Sequence, residues 1–163
     1  MIMSDILSSK HCIADLLPHR DPFLFVDEIR SVHFPENKKD LCGMKIEGLR
    51  KVKESEFYFQ GHFPGLPLMP GVLVVEALAQ LGVCMLSLNP EPIVNMKKDL
   101  LVLTHIQGFK FKKMVKPGDT LELFDELVKH KMGRFFEIEA MASVEGDLVC
   151  QGLISCMLQK GVR

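Results

Sequence analysis

Between Gly71 and about Leu88 the chain is almost entirely apolar, with Glu76 and Gln80 as its chief polar interruptions. A run of this length without a polar face predicts a helix buried on all sides. The stretch before it, Gln60 to Gly71, is broken by Gly61, Pro64, Gly65, Pro67 and Pro70. Proline fixes φ and removes a donor while glycine permits positive φ, so these residues predict a stiff loop. Pro70 suits the first helical turn, where a missing N–H costs nothing. Asn89-Pro90-Glu91-Pro92 ends the helix.

The flanking segments have strand character. Residues 11–17 predict a short helix stopped by Pro18, and the aromatic, β-branched run 23–29 predicts a strand. Pro35-Glu36-Asn37 predicts a turn, and residues 39–52 predict a second strand with roughly alternating apolar and charged positions. The last third predicts a meander: strands at about 101–115, 120–129, 136–144 and 148–158, with turns at 116–119, 131–133 and 146–147. Phe136, Ile138, Ala140, Ala142 and Val144 mark one face of the third of these. The expected class is therefore α+β, with an antiparallel sheet curved around one apolar helix. A curved sheet covers that helix on one side only. Its other side calls for a second sheet, most simply from a second subunit.

At 163 residues, 47% hydrophobic and 25% charged, the chain is expected to form one domain spanning residues 1–163. A net charge of -1 gives no support to broad nucleic-acid binding. Lys97-Lys98 and Lys110, Lys112 and Lys113 form either a solvated face or a docking patch for an acidic partner. Five cysteines with no C-x-x-C pair give no disulfide framework and no zinc site, so a reducing, cytoplasmic setting is expected. The first ten residues lack the pattern of a signal peptide. A membrane span over 72–88 would place Glu76 in hydrocarbon at a cost of about 3 kcal/mol, so a core helix is expected instead.

The candidate chemistry lies in the same stretch. Histidine moves protons readily near neutral pH, and His62 stands in the stiff loop. On residue type alone it is either a base or a structural ring bonded to loop carbonyls. Glu76 is a carboxylate in an apolar helix, where it must be paired, hydrogen-bonded or protonated. The N–H groups at the helix start, Gly71 and Val72, are placed to hold an oxyanion. Gln80, one turn past Glu76, is a candidate partner for its carboxylate. Base, acid and oxyanion donor together describe proton abstraction α to a carbonyl. His19 is expected to stabilise a turn, His105 to serve as core or wall, and Cys84 to pack in the core. His11, His33 and His130 lack metal-ligand spacing, and no metal site is expected.

Gly61-His62-Phe63-Pro64-Gly65, then Met69-Pro70-Gly71-Val72-Leu73 and Glu76-Ala77-Leu78-Ala79-Gln80, resembles the FabZ-type β-hydroxyacyl-acyl-carrier-protein dehydratases. Leu17 to Asp27 upstream and Phe111-Lys112-Lys113 and Pro117-Gly118-Asp119 downstream extend the likeness over about 12–159. The resemblance implies a hot-dog fold, dimerised into a continuous sheet and assembled as a trimer of dimers. It implies that His62 takes the C2 proton of a (3R)-hydroxyacyl thioester and that Glu76, from the other subunit, acts on the departing hydroxyl. The Gly71 N–H would polarise the carbonyl, with no cofactor, and an acidic acyl carrier protein would deliver the substrate. The sister family that also isomerises the double bond carries Asp where this chain has Glu76, so dehydration alone is implied. Residues 101–108 depart from the family pattern, which leaves the tunnel gate and chain-length preference open. Thioester hydrolysis and a non-catalytic carrier-binding subunit are the alternatives, told apart by release of free acid and by binding without turnover.

Overall fold

The computed structural model describes residues 2–3, 10–36, 40–90 and 93–162. Asn37, Glu91, Pro92 and the side chains of His11 and Cys12, named above, lie outside the described residues. The strands are β1 (Ile2–Met3), β2 (Glu28–His33), β3 (Lys45–Lys51), β4 (Leu100–Phe111), β5 (Thr120–Lys131), β6 (Phe135–Val144) and β7 (Asp147–Gln159). All join one antiparallel sheet in the order β1-β2-β3-β5-β6-β7-β4. The short helix α1 spans Lys10–Leu16 and the long helix α2 spans Gly71–Ser87. Among the described residues no helix is long and apolar enough to cross a membrane.

Helix α2 lies against the concave face of the sheet, where Val74, Leu78, Leu81 and Met85 meet inward side chains such as Leu121, Leu123 and Ile138. Close approach is built into the sequence at Gly82, where a Cβ would fall 2.7 Å from the Ile138 side chain. The helix is not buried all round, as its composition predicts. Val72 is 73% exposed, and Glu76, Ala79 and Val83 form a partly open stripe along one side. One sheet covers one face of a helix, which leaves this stripe open in the protomer.

The strand expected at 23–29 begins only at Glu28. Leu24, Phe25 and Val26 are buried in succession, which a strand with alternating faces does not allow. Side chains, not a ladder, hold this backbone: the Phe25 N–H donates to Gln80 Oε1 at 2.8 Å, and Gln80 Nε2 donates to the Phe23 carbonyl at 3.0 Å. Strand β4 likewise stops at Phe111 rather than continuing to 115. Beyond it the Val115 carbonyl accepts the Met69 N–H at 2.9 Å and so ties this segment to the loop before α2.

Asp125 occupies an inward position of β5, in phase with Leu121, Leu123 and Leu127. It is fully buried, and among the described residues neither carboxylate oxygen has a hydrogen-bond partner. Burial pushes its carboxyl well above the usual carboxylate range. Folding therefore favours the neutral acid, while the unfolded chain ionises near the ordinary value. Because the folded state then binds the extra proton, stability falls as pH rises above about 4. Asp125→Val, of similar shape, is expected to raise stability by about 1–3 kcal/mol and to flatten this decline, as read from urea unfolding at several pH values.

Candidate active site

The loop bearing His62 is folded by its own backbone. A 3-10 turn, Phe57–Gln60, ends where the Tyr58 carbonyl accepts the N–H groups of Gly61 and His62 at 3.3 and 2.9 Å. Phe63 and Leu66 exchange two hydrogen bonds of 3.0 Å, and the Leu68 N–H returns to the His62 carbonyl at 2.9 Å. Gly65 makes this reversal possible with φ at 78°, a region strained for other residues. The His62–Phe63 peptide is cis, and the two rings stack with centroids 3.9 Å apart.

His62 Nδ1 stands 2.9 Å from the Leu68 carbonyl oxygen. A carbonyl oxygen only accepts, so Nδ1 carries the proton of this bond. In the neutral ring Nε2 is then the nitrogen with a free lone pair. The contact that a purely structural histidine would make is present, and it leaves the basic nitrogen available.

Helix α2 begins beside this ring. Pro70 provides no side-chain cap, and its carbonyl accepts the N–H groups of Leu73 and Val74. The N–H groups of Gly71 and Val72 remain at the positive end of the helix, as an anion site requires. The Phe111 ring packs over Gly71, where a Cβ would fall 2.8 Å from Cε1, so the residue type is set by that ring. His62, Gly71, Val74, Phe111, Lys113 and Met114 line a pocket of about 330 Å³.

Glu76 stands on another side of the helix. At about 100° per residue it is turned about 200° from Val74, which faces the pocket. Its side chain is 25% exposed, not fully buried as expected. It is held by Gln80 Nε2, 2.9 Å from Oε1, and by His19 Nε2, 3.4 Å from the same oxygen. Gln80 itself is 1% exposed. The protomer thus brings together His62 with Gly71, and separately Glu76 with Gln80 and His19. It does not bring His62 to Glu76.

The sequence matches the family model of the FabA-like domain over residues 17–152. It is 40% identical over 143 residues to the 3-hydroxyacyl-[acyl-carrier-protein] dehydratase FabZ of Nitratidesulfovibrio vulgaris (strain Miyazaki F), covering 88% of this chain and 86% of that one. It is 41% identical over 140 residues to the enzyme of the same name from Caldicellulosiruptor bescii, covering 86% and 91%. The chain belongs to the FabA-like family, in its FabZ branch. Solved structures show that this FabZ-type chain has a hot-dog fold. One is the dehydratase heterocomplex ApeI:P of Xenorhabdus doucetiae, at TM-score 0.67 and 15% identity, covering 91% of each chain. Another is a hot-dog-like protein of Thermanaerovibrio acidaminovorans, at TM-score 0.58 and 18% identity, covering 78% of this chain and 84% of that one.

Two features of this FabZ-type chain went unread in its sequence. His19 was expected to serve only a turn, yet it reaches Glu76. Its signal was its place within the Leu17–Asp27 signature. Arg50 was not singled out, yet it is 2% exposed and bonded to both Asp27 and Glu56. Its signal was its phase, since Arg50 shares a face of β3 with the buried Ile46 and Gly48.

Proposed function

We propose that the chain converts (3R)-hydroxyacyl-acyl carrier protein to the trans-2-enoyl form in fatty acid biosynthesis, as a hydro-lyase that leaves the double bond in place. The observation that carries this reading is the Nδ1–Leu68 bond, which leaves Nε2 of His62 basic in the pocket at the Gly71 end of the helix. His62 Nε2 takes the C2 proton while the Gly71 N–H stabilises the charge growing on the thioester oxygen. The C2=C3 bond forms as the C3–O bond breaks, and Glu76 of a second copy protonates the departing hydroxyl, releasing water. The steps as written use no cofactor or metal. The substrate arrives on an acidic acyl carrier protein in the cytoplasm, and Lys113, which lines the pocket, is a basic contact available to it.

A second copy is needed because one protomer sets His62 and Glu76 on different sides of α2. Strand β4 ends the sheet, and its residues paired with buried β7 positions are themselves open: Leu103 is 44%, Ile106 52% and Phe111 51% exposed. We infer that each single-domain protomer pairs through β4 with its twin, which covers this row and the open stripe of α2, and that such dimers assemble in threes. Ile106→Lys is expected to yield a folded monomer without activity, as seen by light scattering and circular dichroism. A dimeric, active variant would refute the inference.

The test of the activity is hydration of a crotonyl thioester, followed by loss of enoyl absorbance. The wild type is expected to hydrate it, and Glu76→Gln to be slower by about 10²–10⁴-fold. A folded wild type that hydrates no chain length would leave thioester hydrolysis or carrier binding as the function.

A further inference from the structure

Residues 23–25, just upstream of β2, are fastened to α2 beside Glu76. Gln80 accepts the Phe25 N–H on Oε1, while its Nε2 donates to both the Phe23 carbonyl and Glu76 Oε1. Just before, Arg20 Nη1 donates to the carbonyls of Leu17 at 2.9 Å and His19 at 2.7 Å, which fixes the turn that carries the His19 ring. His19 Nε2 then lies 3.4 Å from Glu76 Oε1. Both contacts fall on the same oxygen. Among the described residues Oε2 has no hydrogen-bond or ion-pair partner.

We propose that His19 is a positioning residue for the acid: with Gln80 it anchors Oε1 of Glu76, so that Oε2 is the oxygen presented to the substrate hydroxyl. This rests on the dehydratase reading above. A carboxylate on a flexible glutamate stem turns freely about its last bonds, and a hydrogen bond from Gln80 with an ion-pair contact from His19 on the same oxygen removes that freedom. Gln80 alone defines a distance, whereas a second donor from another element defines an orientation. Fixed orientation is worth most when bonds are being broken, so the effect belongs to kcat more than to KM.

The experiment uses the full chain with His19→Phe, which keeps a ring but has no donor, and His19→Gln, whose amide N–H reaches where Nε2 does. Each is made in the wild-type and Glu76→Gln backgrounds, and crotonyl-thioester hydration is measured on protein shown to be folded by thermal melting. His19→Phe is expected to lower kcat by about 10-fold with KM nearly unchanged, the scale of losing one hydrogen bond to a charged group. His19→Gln is expected to stay within about 3-fold of wild type, since it restores the donor. In the Glu76→Gln background His19→Phe should add no further loss, because the group it orients is already gone. Wild-type kcat in His19→Phe overturns the proposal, as does equal loss in Phe and Gln variants or an undiminished loss in the Glu76→Gln background. If the wild type itself shows no hydration, the dehydratase reading falls and the proposal falls with it.

Discussion

Co-expressed His62→Ala and Glu76→Gln chains are expected to give about a quarter of wild-type hydration activity, while each variant expressed alone gives almost none. The fraction follows from symmetry. Random pairing makes half of the dimers mixed, and each mixed dimer holds one site with both groups intact and one with neither. The structural basis is the helical turn that separates Glu76 from the pocket face of α2, and under the proposed pairing a complete site would draw its two groups from two copies. If both groups worked within one protomer, mixing would restore nothing. The assay is therefore crotonyl-thioester hydration by the co-expressed pool, and the mixed dimer isolated through two affinity tags is expected to give about half of wild-type activity.

Arg50→Ala is expected to cost about 3–5 kcal/mol of stability, seen as a lower urea midpoint. The guanidinium is buried, with Nη1 3.2 Å from Asp27 Oδ2, Nη2 on Glu56 Oε1 and its centre 5.2 Å from the Phe25 ring centroid. Removing it leaves two nearly buried carboxylates without their shared cation. Arg50→Lys is expected to recover little, since one compact ammonium cannot serve two carboxylates and lie over a ring at once. The loss reaches the active site as well. Residues 23–27 are held between Arg50 on β3 and Gln80 on α2, so loosening them loosens the support of Glu76.

The α2 helix, its loop and the strands of the meander were legible because each depends on local order: the Pro-Gly punctuation, the apolar run and the period of two in β5 and β6. The strand at 23–29 was misread because its three consecutive buried residues mimic strand composition. Their backbone partners are the Gln80 side chain and Arg50, far off in sequence. Asp125 shows the opposite situation. Its inward phase beside Leu123 and Leu127 could be counted from the sequence, but its lack of a partner depends on what α2 and β6 place around it.

The sequence by itself determined most of the elements and the family, and it singled out His62 and Glu76 as candidates, because residue type and short spacing carry all of these. Only the tertiary structure decided which nitrogen of His62 is free, that Glu76 is clamped on one oxygen by Gln80 and His19, and that the two groups stand apart within one protomer. Those facts rest on a loop carbonyl, on a segment more than fifty residues upstream and on the rotation of a helix against its sheet. Hydrogen bonds and facing sides are set by distance in space, and a residue's neighbours along the chain do not encode them.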